Sequence, residues 1–246
     1  MYQLSPSLGQ ARLIALEGID LSGRTTQVQL LRDWLLAQGY RVTTTAWRTS
    51  PLVSDILERA RSKSPLRPLT YSMLYCADHL DRTERVIKPA LERGDIVLAD
   101  RYIYTAFARD EASGLDASWV RNLYRFSVQP DAIFYLHISP DEAVQRRLTL
   151  LELARQPKKK LNGKHKKTTT DNVQQQHEGK RTVSTSKVPS FTPETLESFR
   201  SFEKKMYSQY QSMQQEFGFS VVEGSQSIEL VQTMLRRAVM RLLWEE

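Results

Sequence analysis

LIALEGIDLSGRTTQVQLLRDWL, residues 13–35, decides the fold. Leu13–Leu16 is a short apolar run that ends in Glu17-Gly18. From Thr25 to Gln38, Val28, Leu31 and Leu35 recur on one helical face, with Gly39 placed as a stop. Between strand and helix, Gly18, Ile19, Asp20, Leu21, Ser22, Gly23, Arg24 and Thr25 have the spacing G-x-x-x-x-G-[K]-[S/T]. Glycines there let successive backbone N–H groups turn inward around phosphate oxygens. The helix N-terminus adds a favourable dipole, and a hydroxyl at the Thr25 position can hold Mg²⁺. The alternative is an ordinary strand-to-helix turn that holds two glycines. On the first reading, Gly18 to Thr26 bind the phosphates of a nucleotide.

One position departs from the pattern: Arg24 stands where such a loop carries Lys. Lys is a compact charge, whereas Arg is a planar fork, so the two do not present the same charge geometry to a terminal phosphate. Either Arg is accommodated by local repacking, or transfer is slowed or lost.

Outward from this loop, strand-like and helix-like stretches alternate. Arg41–Ala46, Ile96–Ala99, Ala132–Ile138 and Phe219–Val222 read as strands. Helical patterns cover Thr70–Arg93 (bent or interrupted near Pro89), about 140–155, about 193–216 and Ile228–Trp244. That order predicts an α/β fold with a parallel sheet. With no internal repeat and no sign of a second domain, residues 1–246 read as one domain.

The net charge of +7 suggests nucleic acid until it is located. Residues 156–190 hold nine Lys/Arg against Asp171 and Glu178, so this stretch carries the whole excess and the remainder is neutral. Only four aliphatic residues occur in it, among Lys, Thr and Gln runs, and such a composition cannot offset its ordering entropy by burial. It is expected to be a basic, disordered insertion in or next to a lid. Nucleic acid is not an expected partner except through it. The lone Cys76 excludes an internal disulfide and fits a reducing compartment. There is no apolar run long enough for a membrane span, and MYQLSPSLGQ lacks the features of a signal peptide, so a cytoplasmic protein is expected.

Three stretches carry a resemblance to a known family: LIALEGIDLSGRTTQVQLLRDWL, YCADHLDRTERVIKPALERGDIVLADRY (75–102) and PDAIFYLHISPDEAVQRR (130–147). The chain resembles the thymidylate kinase family of nucleoside monophosphate kinases. That resemblance implies a three-layer α/β/α P-loop fold with a five-stranded parallel sheet and a mobile lid. It also implies Mg²⁺-assisted transfer of the γ-phosphoryl of ATP to a nucleoside monophosphate, most of all dTMP, by a homodimer.

The same resemblance implies residue roles. Asp20 would approach the acceptor sugar and phosphate, Arg101 would clamp the acceptor phosphate, and Asp100 would order the Mg²⁺ shell with Thr25. With Arg24, these form the expected catalytic set. Arg48 would also reach the acceptor phosphate, although Thr49-Ser50-Pro51 departs from the family's Glu-Pro-Gly. Tyr75 falls where an aromatic meets the base, and His79, one turn on, replaces a base-binding Arg. Arg109, expected among the acceptor-binding residues, falls with Asp110 where the family has a Tyr-Gln pair, leaving Phe107 or Tyr104 to supply the missing wall. Leu21 occupies a position that is a catalytic Arg in some members, so Arg146, Arg147 or Arg155 would deliver that charge from the lid.

Two other readings stand beside this one. Arg24, Leu21, His79 and Arg109-Asp110 together also fit a weak or inactive nucleotide-binding scaffold. A polyphosphate-dependent nucleotide kinase shares a Glu-Gly-x-Asp loop but fits the DRY strand less well.

Overall fold

Five strands form one parallel sheet in the order β2-β3-β1-β4-β5. They are β1 (Arg12–Glu17), β2 (Val42–Ala46), β3 (Ile96–Asp100), β4 (Ala132–His137) and β5 (Ser220–Glu223). The computed structural model describes residues 11–63, 66–155 and 193–244. Its helices are α1 (Arg24–Ala37), α2 (Ser54–Lys63), α3 (Pro68–Arg82), α4 (Lys88–Glu92), α5 (Ile103–Ala112), α6 (Ala117–Leu123), α7 (Pro140–Arg155), α8 (Pro193–Phe217) and α9 (Ile228–Trp244). The basic stretch 156–190 lies outside the described residues.

The period of two along a strand sorts the core into two layers. Leu13 and Ala15 of β1, Val97 and Ala99 of β3 and Ile133 and Tyr135 of β4 face α5, α6 and α8. The alternate residues, Ile14, Leu16, Ile96, Leu98, Phe134 and Leu136, face α1 and α9. This is the expected three-layer α/β/α P-loop arrangement. A strand wet on one face would alternate apolar with polar residues; burial on both faces accounts for the continuous LIAL run.

The helix expected over Thr70–Arg93 is present but changes pitch in the middle. A π-turn at Thr83–Ile87 joins α3 to α4, with the Lys88 amide donating to the Thr83 carbonyl. Pro89 follows at the start of α4, where its missing N–H is tolerated. Three helices, α2, α5 and α6, are additional to those read from sequence.

Candidate active site

The loop after β1 sits at the carboxyl end of the sheet, where parallel α/β folds place ligands. Gly18 is required sterically: a Cβ there would lie 2.7 Å from both the Leu136 carbonyl oxygen and Ser22 Oγ. Gly23, at φ 95°, caps α1 in the left-handed region. Two cavities flank this loop. One, of about 670 Å³, lies over residues 21–27 and is closed by α7 and the segment after β5. The other, of about 130 Å³, is bounded by Asp20 and Arg101 on the loop side and by Tyr75, Arg109 and Glu203 beyond.

Arg24 is buried in the loop that precedes it. Its Nη1 donates to the Gly18 carbonyl at 2.5 Å, the Ile19 carbonyl at 2.6 Å and Ser22 Oγ at 2.9 Å. Its Nε lies 3.4 Å from Asp100 Oδ1. Burial, and the neighbouring Arg101 charge, lower its pKa. Thr25 Oγ1 donates to the other Asp100 oxygen at 2.5 Å. A hydroxyl beside a single carboxylate is a hard-oxygen pair suited to Mg²⁺, which typically takes few protein ligands and completes its shell with water and phosphate. The described residues accordingly hold no cluster of three or more His, Cys, Asp or Glu side chains of metal-binding form.

Arg101 adopts φ 71° just past β3, with its amide donating to the Leu16 carbonyl. That turn aims the guanidinium back at the loop. Nη1 donates to the Gly18 carbonyl and to Thr105 Oγ1, and Nη2 pairs with Asp20. Burial alone would raise the Asp20 pKa, but Arg101, Arg24, Arg48 and Arg147 together hold it below the ordinary carboxylate value. The expected catalytic set of Asp20, Arg24, Asp100 and Arg101 thus converges on one loop.

Arg48 also lies in the left-handed region, at φ 63°, and lines the smaller cavity. Its loop is held from below by Asp78, which accepts from the Arg48 amide at 3.0 Å and the Ser50 amide at 2.9 Å. Asp78 is itself paired with buried Arg82 at 2.9 Å. Tyr75 lines the same cavity; Trp47 stacks on it with centroids 4.7 Å apart, and the Arg109 guanidinium lies 4.0 Å from its ring centroid.

Two expectations for the base pocket are corrected. His79 does not line the cavity: its ring is fully buried, with Nε2 bonded to Ser127 Oγ at 2.8 Å and Tyr102, Tyr124 and Phe126 around it. Desolvation, with the Arg82 charge, lowers its pKa to about 3, so it is neutral. Its one-turn spacing from Tyr75 is real, but the cavity ends at Tyr75 and the next turn runs beneath α5 and α6. Tyr104 and Phe107 are likewise buried, packed on one another and on Phe217, and supply no wall. Asp110 is buried and accepts from Ser72 Oγ.

The residues that do close this cavity include several that sequence reading did not select: Trp47, and Phe202, Glu203 and Met206 of α8. Glu203 accepts from the Asp20 amide at 3.0 Å, and burial together with the Asp20 charge pushes its pKa up to about 7. Farther along α8, Tyr210 donates to Glu17 at 2.8 Å; Glu17 also accepts from Thr105, the residue that Arg101 contacts. Of the arginines expected to act from a lid, Arg146 fastens α7 to the loop by donating to the Leu21 carbonyl at 2.9 Å and the Gly224 carbonyl at 2.7 Å. Arg147 lies over Phe199 and contributes to holding the Asp20 pKa down, whereas Arg155 is exposed at the end of α7.

Residues 16–187 match the family described as thymidylate kinase. The chain is 42% identical over 134 residues to the probable thymidylate kinase 2 of Saccharolobus solfataricus, covering 54% of this chain and 62% of that relative. It is 34% identical over 142 residues to the probable thymidylate kinase of Thermococcus kodakarensis, covering 54% and 69%. It is 36% identical over 150 residues to a Synechococcus thymidylate kinase, covering 56% and 72%. The matched segment thus spans between about three fifths and three quarters of these relatives.

Proposed function

This chain belongs to the thymidylate kinase family, and on that premise we propose that it transfers the γ-phosphoryl group of ATP to a nucleoside monophosphate, with dTMP the first candidate. The observation that carries the reading is the placement of one phosphate-type loop between two cavities. The larger opens over residues 21–27, and the smaller is bounded by Asp20 and Arg101. A transfer enzyme needs donor and acceptor on opposite sides of the same charged centre, positioned in line.

In this reading ATP lies over Gly18–Thr26, with its phosphates toward Arg24. Arg101 and Arg48 grip the acceptor phosphate, and a guanidinium suits that task by its bidentate fork. Asp20 and Glu203 face the acceptor sugar. Arg147, beside Asp20, supplies further positive charge to the phosphates in flight, and α7 and α8 exclude water over them. Thr25 and Asp100 are the residues that would hold Mg²⁺. When bound, that ion would neutralise charge developing on the phosphate oxygens. The protein is proposed to act as a single domain and as a homodimer.

A second reading, nucleotide binding with slow or absent transfer, is favoured by Arg24, whose guanidinium occupies the carbonyls of its own loop. ADP release from Mg-ATP against dTMP, dUMP, UMP, CMP, AMP and GMP tests both. Acceptor-stimulated release that Arg101→Ala abolishes is expected. Silence across the panel with ATP still bound would leave the second reading in its place.

A further inference from the structure

Glu203 brings a second carboxyl to the acceptor cavity, and no cation pairs with it. The residue is 3% exposed, lines the smaller cavity and forms no ion pair among the described residues. Its Oε2 accepts from the Asp20 amide at 3.0 Å, whereas its Oε1 takes no hydrogen bond there and keeps accessible surface. A carboxylate withdrawn from water without a counterion is costly, and such a group holds a proton instead. Once protonated it is a hydrogen-bond donor, which a carboxylate is not.

The charges around Glu203 set when it is neutral. Burial and then the Asp20 charge favour the protonated form, while Arg101 and Arg24 favour the carboxylate. Arg147 of α7 acts on the same pair through Asp20, and Arg48, Arg109 and Tyr75 stand on the cavity wall. Arg101 is already paired with Asp20, and Arg24 with Asp100. A phosphate dianion gripped by Arg101 and Arg48 neutralises cations that favour the carboxylate. It also adds like charge beside it, and both effects drive Glu203 to its neutral form.

We propose that the acceptor nucleotide binds together with a proton held on Glu203, whose neutral carboxyl donates a hydrogen bond to an oxygen of the acceptor. This rests on the assignment of the smaller cavity to a nucleoside monophosphate. The proton comes from solvent on binding and returns to it on release, and no bond of the nucleotide changes. Because the bound state holds more protons than the free state, acceptor affinity falls as the pH rises.

Calorimetry of dTMP binding without ATP, repeated at pH 8 in buffers of different ionisation enthalpy, counts the protons taken up. A phosphate monoester has a second pKa of about 6 and is already a dianion there, so uptake reports the protein. With Glu203 at about 7 in the free protein, wild type is expected to take up a proton at pH 8, approaching roughly one per dTMP bound. Its dissociation constant should rise by up to about tenfold per pH unit above pH 7. Glu203→Gln keeps a donor and an acceptor but does not titrate. It is expected to bind dTMP without proton uptake, with a flat pH profile, and no more weakly than wild type at pH 8. A merely structural Glu203 would change the melting temperature and leave the uptake as it was. No uptake by wild type overturns the proposal whether or not the variant folds, and uptake that persists in Glu203→Gln overturns it by placing the proton elsewhere. Failure to bind any monophosphate overturns the acceptor assignment with it, whereas binding and turnover without proton uptake overturns only this inference.

Discussion

Arg24 and Asp100 form an ion pair across the floor of the phosphate loop, Nε to Oδ1 at 3.4 Å, while Thr25 holds the second Asp100 oxygen at 2.5 Å. The residue expected to meet the terminal phosphate is thus bound to the proposed metal carboxylate and, through Nη1, to two loop carbonyls. For Arg24 to serve phosphate, those contacts must be exchanged, and hydrogen bonds to a charged group are each worth about 1.5–3 kcal/mol. Lysine has three donors on one atom and lacks the Nε that reaches Asp100. Arg24→Lys is therefore expected to raise kcat for acceptor-dependent ADP release by on the order of tenfold, since about 1.4 kcal/mol is a factor of ten. An unchanged or lower kcat would mean that the loop is adapted to arginine.

Glu203 carries a pH dependence with a definite sign. Its carboxyl is pushed up to about 7 in the folded chain, against an ordinary value of 4.5, first by burial and then by the Asp20 charge. The folded state holds this proton more tightly than the unfolded state. Stability from the neutral form is thus complete below about pH 4.5 and is lost as the pH rises through 7. Glu203→Gln keeps an oxygen for the Asp20 amide and removes the titration. The melting temperature of the variant minus that of wild type should rise between pH 5 and pH 8, with about 2–4 °C for each kcal/mol in a chain of this size. Parallel curves across that range would place the Glu203 pKa near its ordinary value.

The Arg48 loop depends on a charge pair beneath it. Asp78 and Arg82 are both buried, 2.9 Å apart, and Asp78 also accepts the Arg48 and Ser50 amides. Asp78→Ala strands a buried guanidinium and should cost about 3–5 kcal/mol in denaturant unfolding. Adding Arg82→Met removes that uncompensated charge and should restore most of the stability. It cannot restore the acceptor for the loop amides, so KM for the monophosphate should stay raised in the double variant. Recovery of both together would make the pair merely structural.

A homodimer makes a separate demand on α3. Leu69, Met73 and Leu80 fall on one stripe of that helix and are exposed in the single chain. Met73→Asp would place a charge in the middle of any interface formed there. Sedimentation should show a dimer for wild type and a dissociation constant raised on the order of tenfold or more for the variant, from the desolvation of one charge. A monomeric wild type would end the proposal.

What the sequence made legible follows from range. The phosphate loop is local: its strand, its glycines and its helix lie within 26 residues, and each obeys rules that need no tertiary information. Strands buried on both faces announce themselves as apolar runs. The acceptor cavity is not local. Glu203 meets Asp20 across 183 positions, and the periodicity of α8 marks a buried face without saying what it faces. His79 fails for the complementary reason, because helical spacing gives a shared face but not where the cavity along that face ends. The pair Arg109-Asp110 divides the same way: Arg109 reaches the cavity, while Asp110 turns into the core toward Ser72.

Arg48 separates backbone strain from side-chain function. Its φ of 63° is in the left-handed region, which costs a residue with a Cβ roughly 1–2 kcal/mol, and glycine nothing comparable. Arg48→Ala and Arg48→Gly remove the same guanidinium from the acceptor cavity, so both should raise KM for the monophosphate by on the order of tenfold or more, the value of a charged hydrogen bond. Only glycine relieves the turn. In denaturant unfolding Arg48→Gly should therefore be more stable than Arg48→Ala by about 1 kcal/mol, even after the greater freedom of glycine in the unfolded chain is offset against it. Equal stability would mean that the Asp78 contacts to this loop do not hold Arg48 in a strained conformation. A KM that rises in neither variant would remove Arg48 from the acceptor site and leave the phosphate to Arg101.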